Sequence, residues 1–326
     1  MKLKPTLLLT ILTLLAACGG EDEPTTTDID YKQEMRDFVQ EISKYAKGKN
    51  SSFAIIPQNG QELITTDGEP DGSADAIYLS AIDATGREDL FYGYDEDNVA
   101  TPVDEREYLV DYLDIAHDNG VSVLVTDYCW GQLKMDDSYA QNRVKQYISF
   151  AAPDRELNVI PNYPSPLHDE NSDNIASISQ ANNFLYLINP DQFANVDAFI
   201  TALKNTNYDA FIIDAFFNEQ LLTQTQVNQL KTKANGGKRL VIAYMSIGEA
   251  EDYRYYWQSD WETGSPSFIK AVNPDWEGNY KVEYWNSDWQ SVIYGNSDAY
   301  LDKLLSSGFD GAYLDIIDAF EYFEEL

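Results

Sequence analysis

The sequence predicts an α/β protein, an eight-stranded (β/α)8 TIM barrel, on three observations. Short apolar runs rich in β-branched residues alternate with amphipathic segments at helical spacing, the pattern of parallel strands joined by crossover helices. Eight such runs can be read along the chain. The third observation is that the two ends complement each other. "GFDGAYLDIIDAFEYFEEL", Gly308 to Leu326, brings a strand without its helix, and residues 31–47 bring a helix that no strand precedes. A sheet closed on itself places these ends side by side, so the barrel is expected to be complete but cut at an unusual point.

From the N-terminus, Lys2 and Lys4 precede an apolar run, Leu7 to Leu15, that is too short to span a bilayer permanently. Residues 1–17 therefore read as an export signal. The run ends in Leu15-Ala16-Ala17-Cys18, which resembles the bacterial lipobox, so Cys18 is expected to carry a lipid anchor and the protein to reside on the bacterial cell envelope, at the outer membrane or surface. Residues 18–30 are acidic, with Thr, Gly and Pro and nothing to bury, and form a solvated tether. Residues 31–326 make a single barrel. Cys129 is the other cysteine, which leaves no internal disulfide.

Within the barrel, Met35, Phe38, Val39, Ile42 and Tyr45 give the first helix one buried stripe. Strands are expected at "FAII" (53–56), "AIYLSAI" (76–82), "VSVLV" (121–125), "FLYLI" (184–188), "AFII" (210–213), "LVIAY" (240–244), "KVEYW" (281–285) and "FDGAYL" (309–314). Helix faces lie between them, such as Phe193, Val196, Phe199, Ile200 and Leu203. "PNYPSPLHDENSDN" (161–174), dense in Pro, Asn, Ser and Asp, opens a long connection over 161–182.

Active sites of such barrels lie at the C-terminal ends of the strands. The residues just beyond the runs include Asn59, Asp83 with Glu88 close behind, Asp127, Asp214, Ser246 with Glu249 and Glu251, and Asp315, so nearly every strand delivers an acid or amide to one rim. A formal net charge of -33 and a pI near 4.1 repel nucleic-acid phosphates and favour cationic partners. Neither histidine, His117 or His168, is near a strand end, which argues against a histidine triad or a histidine-ligated metal. "DEDNVATPVDE" (95–105) lacks the central glycine of a calcium loop, and no Gly-rich phosphate loop occurs. What remains is carboxylate chemistry, one proton donor with one nucleophile or base, the machinery for cleaving glycosidic bonds without metal or cofactor. Trp257, Trp261, Trp276, Trp285 and Trp289 point the same way, since aromatic faces stack on sugar rings, although Trp285 and Trp289 fit a local core equally well.

"AYMSIGEAEDYRYYW" (243–257), "NPDWEGNYKVEYW" (273–285), "GFDGAYLDIIDAFEYFE" (308–324), "IIPQNGQEL" (55–63) and "IDATGREDLFYG" (82–93) resemble the extracellular barrel proteins related to glycoside hydrolase family 114, the endo-α-1,4-polygalactosaminidases. In that family the segment like "DIIDAFEYFE" is followed by a helix and then by the segment like "PQNGQEL"; here the two lie at opposite ends. The resemblance therefore implies a circular permutation, with residues 31–47 supplying the missing helix and residues 161–182 joining the usual termini. It also implies that Asp315 and Glu88 are the catalytic pair; burial and its partner's charge are expected to hold Glu88 protonated as general acid while Asp315 stays ionised as nucleophile. Asp214, Ser246, Glu251, Arg254 and Asp318 match polar positions that bind or orient sugar, and Tyr244 is a further candidate for binding it. The implied activity is hydrolysis of an α-linked galactosamine or N-acetylgalactosamine polymer by a lipid-anchored monomer. A deacetylated polymer is cationic and would be drawn to so acidic a protein. The alternative is a non-catalytic carbohydrate-binding lipoprotein on the same barrel.

Overall fold

The structure, a computed structural model, describes residues 29–326. The export signal, Cys18 and most of the tether lie outside the described residues. Residues Tyr31–Leu326 form one compact unit. In it α1 (Tyr31–Lys49) leads into β1 (Ala54–Pro57), α2 (Ala76–Ala81) into β2 (Ala84–Glu88), α3 (Val103–Asp118) into β3 (Ser122–Tyr128) and α4 (Gln132–Lys145) into β4 (Ile148–Ala152). After a long connection come β5 (Phe184–Leu187), α5 (Val196–Lys204), β6 (Ala210–Asp214), a hairpin of β7 (Phe216–Phe217) and β8 (Gln220–Leu221), α6 (Gln224–Leu230) and β9 (Leu240–Ser246). An antiparallel excursion of β10 (Glu249–Glu251), β11 (Ile269–Val272) and β12 (Asn279–Val282) precedes α7 (Ser287–Ile293), α8 (Tyr300–Ser307), β13 (Gly311–Asp315) and α9 (Ala319–Glu324).

The parallel strands fall into a five-stranded sheet ordered β1-β13-β9-β6-β5 and a three-stranded sheet ordered β2-β3-β4. A parallel bridge between Gln58 and Gly86 ties the end of β1 to β2, helped by the Asp83 amide donating to the Ile55 carbonyl at 2.9 Å. On the other flank the rings of Phe150 on β4 and Phe184 on β5 lie 5.8 Å apart. This is a mixed α/β architecture with a parallel central sheet, compatible with a TIM-like fold. Most of these strands are rich in apolar residues, and every residue of β9 is buried, because helices cover the outer face while side chains fill the inner one.

The strand and helix left unpartnered in the sequence meet in the fold. β1 pairs with β13 in parallel register, Ala54 opposite Gly311. Beside them α1 packs on α9, with Lys32 and Glu324 2.5 Å apart and the rings of Tyr31 and Phe323 5.5 Å apart.

Two expected strands are corrected. "AIYLSAI" is mostly α2, because Asp75 caps it by accepting from the amides of Ile77 and Tyr78, and a seven-residue apolar run does not distinguish helix from strand by itself. The strand lies just beyond, in "ATGRE", where Gly and Arg hide the apolar signal. "KVEYW" enters the antiparallel excursion only as far as Val282, and the parallel strand it was expected to supply is instead Ile148–Ala152. The two errors cancel in the total of parallel strands.

The long connection has no helix or strand over residues 161–174. Its far end is held by a fully buried ion pair. Lys233 Nζ lies 2.6 Å from Asp209 Oδ1 and donates to Asn171 Oδ1 at 2.9 Å. Asp209 Oδ2 accepts from Asn171 Nδ2 and from the amide of Asn182, each at 2.8 Å.

Candidate active site

A cleft of about 430 Å³ opens at the C-terminal ends of the parallel strands, lined by Gln58, Glu88, Tyr128, Tyr186, Asp214, Tyr244 and Asp315. Each of these sits on, or one residue beyond, a different parallel strand. Side chains two apart on a strand share a face, so Tyr313 lies on the same face as Asp315, one layer deeper. Tyr128, Tyr186, Tyr244 and Tyr313 form a buried tyrosine floor, with the rings of Tyr186 and Tyr313 5.2 Å apart, edge to face. Only glycine fits at position 86, since a Cβ there would come within 2.1 Å of the Tyr313 hydroxyl.

Glu88 is held as an acceptor. Gln58 Nε2 donates to its Oε2 at 2.5 Å, Asn59 Nδ2 approaches the same oxygen at 3.4 Å, and the Tyr128 hydroxyl donates to Oε1. Asp315 accepts from the Tyr244 hydroxyl at 2.6 Å. One edge of Asp315 stays open to the cleft while protein encloses the rest. That burial pushes its carboxyl up to about 8; the nearby charge of Glu88 pushes the same way, and the Tyr244 hydrogen bond opposes both. The sequence predicts an ionised Asp315; the desolvation that falls on Asp315 here favours its protonated form instead, while three donors converge on Glu88.

The backbone after Asp315 is strained: Ile316 has φ 59, a left-handed conformation that a β-branched residue rarely adopts. The turn needs glycine opposite it, since a Cβ at Gly248 would lie 2.1 Å from the Ile316 carbonyl oxygen.

A second cluster lies across the cleft. Arg254 Nη1 donates to both oxygens of Asp214 at 2.9 Å, its Nε donates to Glu251 Oε2 at 2.7 Å, and the Tyr253 hydroxyl donates to Glu251 Oε1 at 2.7 Å. Arg155 pairs with Asp89 and Asp97 at 2.8 and 2.6 Å and covers the Tyr128 ring. Both arginines of the cleft are thus engaged, whereas Glu156 and Glu277 on the cleft wall have no ion pair among the described residues. Burial pushes the Asp318 carboxyl up to about 6, opposed by the charge of Arg87. Among the described residues no three His, Cys, Asp or Glu side chains converge to hold a metal ion.

Of the residues singled out in the sequence, Asn59, Glu88, Asp214, Tyr244, Glu251, Arg254, Asp315 and Asp318 line the cleft. Five do not. Asp83 precedes β2 rather than following a strand, so it sits at the opposite end of the sheet, accepting from the Ile55 amide at 2.8 Å and pairing with Lys47 at 3.0 Å. Asp127 alternates with the inward-facing Tyr128 and therefore points outward, where it accepts from the amides of Phe91 and Tyr92 and from Ser138 and Asn142. Ser246 donates to the Glu249 carbonyl within a turn, and the Glu249 carboxylate is buried against Asn273 and Asn279. Trp285 packs on Tyr31 of α1 and Phe323 of α9. In the cleft, Trp276 is the exposed tryptophan, at 55%. Sequence reasoning missed Tyr128 and Tyr186, which two-residue strand periodicity could have placed.

Removing the Tyr244 hydroxyl should be legible in titration. Its hydrogen bond favours ionised Asp315, so Tyr244→Phe is expected to move the Asp315 titration upward from about 8, by on the order of one pH unit for one hydrogen bond to a charged group. Carboxyl 13C NMR of the two proteins checks this. A downward or absent shift contradicts the assigned donor.

Residues 170–326 match the model of glycoside-hydrolase family GH114, and over those residues the chain is GH114-like. It is similar to an uncharacterized protein of Methanocaldococcus jannaschii, 37% identical over 155 residues that make up 48% of this chain and 43% of that protein. An uncharacterized protein of Thermotoga maritima is 33% identical over 143 residues, 44% of this chain and 41% of that protein. A third, from Deinococcus radiodurans, is 36% identical over 122 residues, 37% of each chain. The chain thus spans less than half the length of these curated relatives.

Proposed function

We propose that the protein is a glycoside hydrolase that cleaves an α-linked galactosamine or N-acetylgalactosamine polymer with Asp315 as proton donor and Glu88 as nucleophile or base. The observation that carries this reading is the electrostatic coupling of Asp315 and Glu88 across one cleft, in a chain whose second half matches GH114. Two carboxyls so coupled cannot both ionise easily, so at neutral pH the pair retains one proton, as acid–base cleavage of an acetal requires. The substrate class is supported by charge. Around the pair the cleft is lined by Glu156, Glu277 and Asp318, and its two lining arginines are already ion-paired, which suits a cationic amino sugar, while Trp276 offers a face for ring stacking.

In the same reading the two parallel sheets close into a (β/α)8 barrel whose order is circularly permuted. Supporting this, β1 joins β13 where the chain ends meet, and the GH114 match begins at residue 170, inside the long connection. The protein acts as a monomer anchored to the cell envelope through Cys18. Metabolic labelling with palmitate, lost on Cys18→Ser, tests the anchor.

The function is tested by incubating the protein with purified amino-sugar polymers of graded acetylation and sizing the products by mass spectrometry. Internal cleavage into short oligosaccharides supports it. Binding without fragments would favour a carbohydrate-binding protein on the same scaffold.

A further inference from the structure

Beneath the carboxylate pair lies a three-member relay that reaches across the barrel. Tyr186, on β5 and 1% exposed, donates its hydroxyl to Gln58 Oε1 at 3.0 Å. Gln58, 3% exposed, turns its other end to Glu88, Nε2 to Oε2, at 2.5 Å. A glutamine amide has one accepting and one donating end, and which end faces a carboxyl decides whether that carboxyl accepts or must donate. With Tyr186 holding the oxygen, only the NH2 group is left for Glu88. A protonated Glu88 would then meet a donor where it needs an acceptor.

We propose that Tyr186 is a positioning residue: through the Gln58 amide it keeps Glu88 a hydrogen-bond acceptor and so directs the proton shared by the pair onto Asp315. The inference rests on the carboxylate-pair reading above and extends it to the choice of donor. The other groups facing the pair do not replace the relay. On the Glu88 side, the Tyr128 phenol of β3, covered by Arg155, and Asn59 Nδ2 add donors to Glu88. On the Asp315 side, Tyr244 of β9 donates one hydrogen bond, while Asp318 adds negative charge. Tyr313 of β13, between them, has a buried hydroxyl with no hydrogen-bond partner among the described residues.

Tyr186→Phe removes one hydroxyl and keeps the ring contact with Tyr313. It frees the Gln58 oxygen to turn toward Glu88, and the preference for the proton on Asp315 is expected to fall about tenfold, the value of one hydrogen bond. The test is a pH titration of the full chain, 13C-labelled at Asp and Glu carboxyls, without substrate, with Asp315→Asn and Glu88→Gln assigning the signals. In the unaltered protein the step near pH 8 belongs to Asp315 alone; in Tyr186→Phe the Glu88 carbon should share it. Gln58→Leu should give the same change, and the double variant no more than either, as expected of residues acting through one path. Under saturating polymer kcat should fall up to about tenfold, with KM within about twofold. Identical titration curves in the unaltered chain and Tyr186→Phe overturn the proposal, as does a lower kcat without sharing of the step, which is what a merely structural role produces. Because the titration needs no substrate, it judges the relay even if the unaltered chain cleaves no polymer.

Discussion

Asp315→Asn and Glu88→Gln are each expected to lower the rate of polymer cleavage by about 10²–10⁴-fold, the usual contribution of a positioned acid or base, with little change in KM. Both side chains face a wet cleft and both replacements are close to isosteric, so the fold should survive, as thermal unfolding can check. Stability should separate the two roles further. Asp315 has a folded-state pKa raised to about 8, so its contribution to stability is complete below the ordinary carboxylate range and is lost as pH rises through about 8. The amide that replaces it cannot ionise. The Asp315→Asn protein should therefore match its parent near pH 3, below the ordinary carboxylate range, and unfold at higher temperature than the parent near pH 9, while being nearly inactive at both. An amide variant that retains parental turnover removes Asp315 from the chemistry. One destabilised at pH 9 contradicts its assignment as the buried acid.

The largest stability effect should come from the other end of the sheet. Lys233 and Asp209 are fully buried and 2.6 Å apart, and together they secure Asn171 and Asn182 at the end of the long connection. Lys233→Met leaves the Asp209 carboxylate uncompensated in the interior, which typically costs about 3–5 kcal/mol. The double change Lys233→Met/Asp209→Asn should recover part of that loss, because no charge is then stranded. Urea unfolding of the parent, the two single variants and the double variant measures this directly. Additive losses would mean that the pair does not couple. The effect should also be local at first, with amides of residues 171–182 losing hydrogen-exchange protection before the parallel sheet does.

How much of this could be read from residues alone depended on which physical signal each element leaves. "VSVLV", "AFII" and "LVIAY" were read correctly because parallel strands covered on both faces are continuously apolar, and their brevity and β-branched residues decide what an apolar run alone leaves open. β2 is "ATGRE", whose Gly86 is dictated by the Tyr313 hydroxyl of β13 and whose Arg87 and Glu88 face polar surroundings. No local pattern reveals such a strand, so the neighbouring helix "AIYLSAI" was read in its place. The same displacement moved Asp83 to the wrong end of the sheet. The meeting of α1 and β1 with β13 and α9 was legible because an orphan strand and an orphan helix each need a partner. The tyrosine floor was not, since Tyr128 and Tyr186 acquire their role only when strands far apart in sequence converge. Asp127 looked functional by position, yet alternation along β3 turns it outward. The acids that do line the cleft were found by their place at strand ends and by family resemblance; their protonation follows from burial, which no spacing of residues conveys.

The measurement that bears most directly on the account is the pH dependence of kcat/KM for the polymer cleaved best, with the polymer's own amines titrated separately. With Asp315 as the proton donor, cleavage should fall tenfold per pH unit above an alkaline limb near pH 8, and Tyr244→Phe should move that limb upward. A rate that stays level from pH 8 to pH 10 would contradict the account, because the donor it names would by then have lost its proton.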